Sequence, residues 1–215
     1  MTRKKKNTDP GLLLFVSGPS GVGKSTICRQ LATVLPAQFA VSATTRQGKP
    51  QDKFGKKYIF VNEKNFQKRI ARKEFLEYAN VFGYWYGTLK APVLKALEAG
   101  KIVLLEIDVQ GGLQVFKLFP HAVGIFILPP NPAELMRRLE SRGRDEPDVI
   151  EKRIAEARRE IKTAKASGAY RLMVVNDALV PTIHLLTGFV QGYQQGRLDV
   201  MRQVGRGGKA GFRKR

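Results

Sequence analysis

Eight consecutive residues, Gly18-Pro19-Ser20-Gly21-Val22-Gly23-Lys24-Ser25, satisfy the pattern G-x-x-x-x-G-K-[ST] in full. Glycines at these positions let the backbone curl so that successive N–H groups point inward at phosphate oxygens, and a helix starting near Lys24 adds its positive end. Lys24 supplies a point charge to the β- and γ-phosphates of a nucleotide, Ser25 offers a hydroxyl to a bridging Mg²⁺, and Thr26 closes the set. With glycine near 7% of residues, a chance match in a chain of this length is on the order of 1%. The motif specifies nucleotide phosphate only, because kinases, GTPases and motors share it.

Such a loop needs a strand before it and a helix after it. Residues 11–17 are an almost unbroken apolar run, the pattern of a strand buried on both faces of a parallel sheet. Residues 24–35 place Ile27, Leu31 and Val34 at helical spacing, with Pro36 just past the end. Segments 101–108, 122–128 and 172–176 read as three more buried strands separated by helical patterns, which predicts a doubly wound α/β fold. Residues 41–90 break this rhythm: they are polar, aromatic and Gly-rich, with short alternating pieces such as Tyr58-Ile59-Phe60-Val61, and predict an inserted β-containing subdomain. Residues 132–165 predict two amphipathic helices around the break Gly143 to Pro147. The second carries Ile150, Ile154, Ala157, Ile161 and Ala164 as one buried stripe. Val180 to Tyr193 reads as a final helix packed through Ile183, Leu186 and Val190.

With 215 residues and 43% hydrophobic content, the chain supports one core with appendages. The first apolar run is too short for a signal-peptide core or a membrane span, so a soluble, cytoplasmic protein is expected. The single cysteine, Cys28, excludes an intrachain disulfide, and with only His121 and His184 beside it no thiolate or imidazole metal cluster is expected. Any metal is expected to arrive with nucleotide. The formal charge is +20, and about half of the excess lies in Arg3 to Lys6 and in the Gly-rich segment from Gly196 to Arg215, both read as flexible. A basic body attracts phosphorylated substrates, and basic tails are a weak nucleic-acid signal set against the plainer reading of solvated ends.

The inserted region contains, in order, Ser42-Ala43-Thr44-Thr45-Arg46, Gly55-Lys56-Lys57-Tyr58, Glu74-Phe75-Leu76-Glu77-Tyr78 and Tyr86-Gly87-Thr88. Together with Glu106-Ile107-Asp108-Val109-Gln110-Gly111 and Arg138-Leu139-Glu140-Ser141-Arg142-Gly143, this series resembles guanylate kinases from about Gly11 to Asp177. The resemblance implies a P-loop NTPase-type parallel sheet flanked by helices, with core segments 11–40, 91–131 and 166–195. It makes the insert 41–90 a GMP-binding subdomain and 132–165 a helical lid, between a basic N-terminus (1–10) and a basic tail (196–215). It implies transfer of the γ-phosphoryl group of ATP to GMP, and to dGMP, with Mg²⁺, in a monomer or homodimer.

The resemblance also implies roles for particular residues. Arg46, Lys49, Tyr58 and Tyr86 hold the GMP phosphate, which suits a guanidinium fork and neutral phenol donors. Glu77, Ser42 and Thr88 hold guanine: a carboxylate accepts from N1–H and the 2-amino group while the hydroxyls donate to O6, and adenine would leave the carboxylate unpaired. Asp108, read as the carboxyl end of an apolar strand, lies between the nucleotides and orients Arg46 or Mg²⁺ waters, with Glu106 as a second candidate. Arg138 and Arg142, four apart, and Arg153 close over the ATP phosphates. Asn176, followed by Asp177, belongs to the adenine side.

Three positions depart from the family pattern. Lys49 replaces a phosphate-binding arginine, which keeps the charge but loses the fork, so GMP binding is expected to weaken by about 1 kcal/mol unless Lys53 or Lys56 compensates. Asp52 replaces a glutamate, and Arg144 a small polar residue. Competing readings are an interaction module that keeps the fold without turnover, a kinase for a different nucleotide or small phosphate ester, and a nucleic-acid-associated protein working through the tails.

Overall fold

The structure is a computed structural model that describes residues 11–48, 58–141 and 147–196. Strand β1 (Leu12–Ser17) runs through the centre of a five-stranded sheet, between β7 (Ile102–Glu106) and β8 (Val123–Leu128), and both pairings are parallel. β9 (Leu172–Val175) pairs beyond β8, and the two-residue β2 (Gln38–Phe39) beyond β7, giving the order β2-β7-β1-β8-β9. The four predicted strands are all present. β2 escaped the sequence reading because two residues carry no periodicity.

Side chains alternate along β1, so Leu14 and Val16 enter one apolar cluster while Leu13 and Phe15 enter another on the opposite face. On the first face lie α1 (Lys24–Val34), α5 (Pro132–Glu140), α6 (Pro147–Ser167) and α7 (Leu179–Gln194), contributing Ile27, Leu31, Leu139, Ile154, Ile183 and Leu186. On the second lie α3 (Lys90–Glu98) and α4 (Val109–Leu118), contributing Val93, Ala96 and Val115. The predicted stripe on α6 is buried at Ile150, Ile154, Ala157 and Ala164 and partly buried at Ile161. Helices on both faces of a parallel sheet are what continuous apolar strands require.

One predicted boundary is corrected. The strand read over 101–108 ends at Glu106, and Asp108 stands outside it as the N-cap of α4, its carboxylate accepting from the Gly111 N–H at 2.9 Å. An acidic residue before a helix serves the free amides of the first turn, which outweighs the apolar continuity that suggested a longer strand.

Between Ser42 and Leu89 the chain builds a second sheet from β3 (Ser42–Thr44), β4 (Tyr58–Phe60), β5 (Phe75–Val81) and β6 (Tyr84–Leu89), ordered β4-β3-β6-β5, with α2 (Glu63–Ala71) packed against it. Its core is Ala43, Phe66 and Phe75, with the Phe66 and Phe75 rings stacked at 4.6 Å and Trp85 stacked on Phe66 at 5.9 Å. Lys49, Asp52, Lys53, Lys56, Arg142, Arg144 and the two basic termini lie outside the described residues.

Candidate active site

The carboxyl ends of the parallel strands converge on the glycine-rich loop. Helix α1 starts at Lys24 behind Gly23, whose φ of 97° is left-handed, and no side chain caps it, so its leading N–H groups stay available to an anion. A Cβ on Gly23 would also come within 2.8 Å of Asn176 Nδ2, so glycine is needed twice over. Lys24 Nζ donates to the carbonyls of Gly18 and Pro19, which folds the ammonium back over the loop. Burial lowers its pKa, opposed by the carboxylates of Glu160, Glu106 and Asp108. Ser25, one residue on, donates from Oγ to Glu106 Oε1 at 2.5 Å.

Opposite the loop, strand register decides the second half of the site. Ser42 pairs with Tyr58 on one side and Thr88 on the other, and Thr88 pairs with Glu77, so one rung across all four strands aligns Tyr58, Ser42, Thr88 and Glu77. Two rungs along, on the same face, Tyr86 stands opposite Thr44. A β-bulge between Phe75 and Glu77 sets this phase; regular pairing from Phe75 would place Leu76 opposite Thr88 instead. Glu77 and Ser42 are buried, and Glu77 Oε1 accepts both the Thr88 N–H at 3.0 Å and its hydroxyl. In this structure the Thr88 hydroxyl donates to Glu77 and orients it. The Arg46 guanidinium lies 5.5 Å from the Tyr58 ring, and burial raises the Tyr86 pKa against the opposing pull of Arg46.

Both halves line one cleft of about 410 Å³, shared by Gly18, Ser20 and Lys24 of the loop with Ser42, Arg46, Tyr58, Glu77 and Tyr86 of the insert. Glu106 and Asp108 line it between them, the Asp108 pKa raised by burial. Arg153 enters from α6 and donates to Ser20 Oγ at 3.0 Å, while its guanidinium lies 4.8 Å from the Phe82 ring at the turn between β5 and β6. Arg138 does not line this cleft. It is tied to Glu134 at 2.7 Å and to the Asn176 carbonyl at 3.0 Å, and Asn176 Nδ2 in turn donates to the Val22 carbonyl behind the loop. Helix α5 ends at Glu140, and Arg142, expected on the same face as Arg138, lies outside the described residues. Within the loop, Gly21 and Val22 are buried.

Among the cleft residues not singled out from the sequence are Phe82, Tyr84 and Glu160. Glu160 had a signal, since it lies seven positions after Arg153 and hence on the same helical face. Burial pushes its carboxyl up to about 7, with Asp108 and Glu156 adding to the rise and Lys24 opposing it.

This arrangement defines a P-loop α/β protein whose phosphate loop faces a polar acceptor compartment built on an inserted sheet. The family profile described as guanylate kinase matches residues 11–193. The guanylate kinase of Dechloromonas aromatica (strain RCB) is 44% identical over 182 residues, covering 84% of this chain and 89% of that protein. The guanylate kinase of Ruegeria pomeroyi is 42% identical over 192 residues, covering 88% and 89% respectively. A crystal structure of guanylate kinase from Anaplasma phagocytophilum superimposes with a TM-score of 0.71 at 30% identity, covering 87% of this chain and 88% of that one. The chain belongs to the guanylate kinase family.

Proposed function

We propose that this chain transfers the γ-phosphoryl group of ATP to GMP, giving ADP and GDP, with the cleft between the P-loop and the insert as its active site. The observation that carries this reading is the juxtaposition, within one cleft, of the Lys24 loop with Tyr58, Ser42 and Glu77, which one rung of the inserted sheet aligns. Residues 18–26 cradle the ATP phosphates, and Asn176 with Arg138 supports the loop from behind. In the acceptor compartment Arg46, Tyr58 and Tyr86, with Lys49, take the GMP phosphate. Glu77 reads N1–H and the 2-amino group, Ser42 donates to O6, and Thr88 holds Glu77. dGMP fits the same base and phosphate contacts.

An ionised GMP phosphate is already a nucleophile at neutral pH, so the protein's task is positioning and charge neutralisation. Lys24, the loop amides and Arg153 neutralise charge as the phosphoryl group passes in line toward the GMP oxygen. Ser25 and Glu106 present the oxygen donors that a hard cation prefers, and no cluster of three His, Cys, Asp or Glu exists among the described residues. Ser25, with Glu106 beside it, would hold a Mg²⁺ that arrives with the nucleotide, and the ion would supply positive charge to the phosphates. Asp108 is suited to orienting its waters or Arg46. Among the described residues no helix is long and apolar enough to cross a membrane, and a need for ATP and GMP supports a cytoplasmic location.

ADP release measured with ATP, Mg²⁺ and GMP, against AMP, CMP and UMP as acceptors, tests this reading. Turnover is expected with GMP and is expected to collapse in Glu77→Ala; ATP binding without turnover on any monophosphate would overturn it.

A further inference from the structure

Glu77 Oε1 is fixed by two donors from Thr88, but its second oxygen is placed by a different element. Oε2 lies over the first turn of α4, against Gly111. A Cβ built on Gly111 would fall well inside 3.0 Å of Oε2, 3.1 Å from Glu77 Cδ and 3.3 Å from Asp108 Oδ1. Gly111 is buried and has no left-handed backbone to explain it, and its N–H already serves the Asp108 cap. Within a helix, glycine is disfavoured relative to alanine, so Gly111 costs local stability.

We infer that Gly111 is a positioning residue for base selection: its missing side chain is the seat of the Glu77 carboxylate. The seat lies at the amino-terminal turn of α4, whose dipole favours a negative charge there. An alanine methyl would meet the far end of a flexible side chain, so the fold accommodates it by swinging the carboxylate away. The carboxylate that moves is the group that reads the 2-amino and N1–H edge of the base. Selectivity is thus lost while the fold is kept, the helix-favouring methyl offsetting part of what the displaced carboxylate gives up at Thr88. The inference rests on the guanine-reading role proposed above for Glu77.

The test compares wild type, Gly111→Ala and Glu77→Ala with GMP and with IMP, which lacks only the 2-amino group. Wild type is expected to prefer GMP over IMP by roughly 10-fold or more in kcat/KM, since a buried acceptor is left unpaired by IMP. Gly111→Ala is expected to bring that ratio close to the value in Glu77→Ala, with the KM for ATP unchanged and a cooperative unfolding transition at a Tm close to that of Glu77→Ala. A wild-type GMP/IMP ratio in Gly111→Ala, alongside a collapsed ratio in Glu77→Ala, overturns the seat and leaves the reading of Glu77 intact. A Gly111→Ala protein melting far below Glu77→Ala also overturns it, because the methyl would then be displacing the fold. If Glu77→Ala itself keeps the wild-type ratio, the reading of Glu77 fails and the seat fails with it.

Discussion

The Ser25 hydroxyl donates to Glu106 Oε1 at 2.5 Å, joining the P-loop to the end of β7 across 81 positions of sequence. Parallel pairing of β1 with β7, Val16 against Glu106, brings the two strand ends side by side. The carboxylate thereby stands next to the hydroxyl best placed to meet a nucleotide-bound cation.

Glu106→Gln keeps the volume and removes the charge. A higher Mg²⁺ requirement and a kcat reduced by roughly 10–100-fold are expected, with little change in the KM for GMP. A Mg²⁺ titration of ADP release checks this; an unaltered Mg²⁺ dependence would assign Glu106 a purely structural part.

Thr88→Val removes the hydroxyl that holds Glu77 but leaves the Thr88 N–H in place. Loss of one hydrogen bond to a charged acceptor, about 1.5–3 kcal/mol, should raise the KM for GMP by at least roughly 10-fold while the KM for ATP stays constant. Thr88→Ser should restore the wild-type value, which steady-state kinetics with each substrate varied in turn will establish.

Phe82 carries the Arg153 guanidinium 4.8 Å from its ring, on a turn at φ 51° where a non-glycine residue is strained. An exposed cation–π contact contributes about 0.5–1 kcal/mol, so Phe82→Ala should lower kcat by roughly 2–5-fold through a less well-held Arg153. The Arg153→Ala and Phe82→Ala effects should be non-additive in a double-mutant cycle.

Glu160 titrates in the folded state at about 7 against an ordinary 4.5, because burial disfavours its charge. Below the ordinary value both folded and unfolded states hold the proton. Between the two values the folded state binds more protons, so this group's contribution to stability is lost as pH rises and is gone above about 7. Glu160→Gln does not titrate, so between pH 4.5 and pH 8 wild type should lose up to about 3 kcal/mol more than the variant. Urea unfolding without nucleotide at both pH values reads the difference, and parallel pH profiles would refute it.

Much of the molecule is legible in the residues alone. The P-loop announces itself because phosphate recognition by backbone amides demands glycines and a lysine at fixed local spacing. The runs at β1, β7 and β8 reveal a parallel sheet because strands buried on both faces cannot alternate, and the stripe on α6 reveals its buried face for the converse reason. These signals are local, and so is the chemistry behind them.

What only the tertiary structure decided is everything set by register and by contact between distant segments. Nothing near Glu77 in the sequence reveals the bulge after Phe75, yet that single extra residue puts the carboxylate opposite Thr88 and in line with Ser42 and Tyr58. Asp108 read as a strand end because its neighbours are apolar, and became a cap because α4 begins beside it. Glu160 is one of several charges on α6, and only the packing of that helix against the cleft beside Lys24 sets it apart. Strand pairing and helix packing are long-range choices made by the core as a whole. They fix which oxygen meets which donor, and no window of sequence contains both partners.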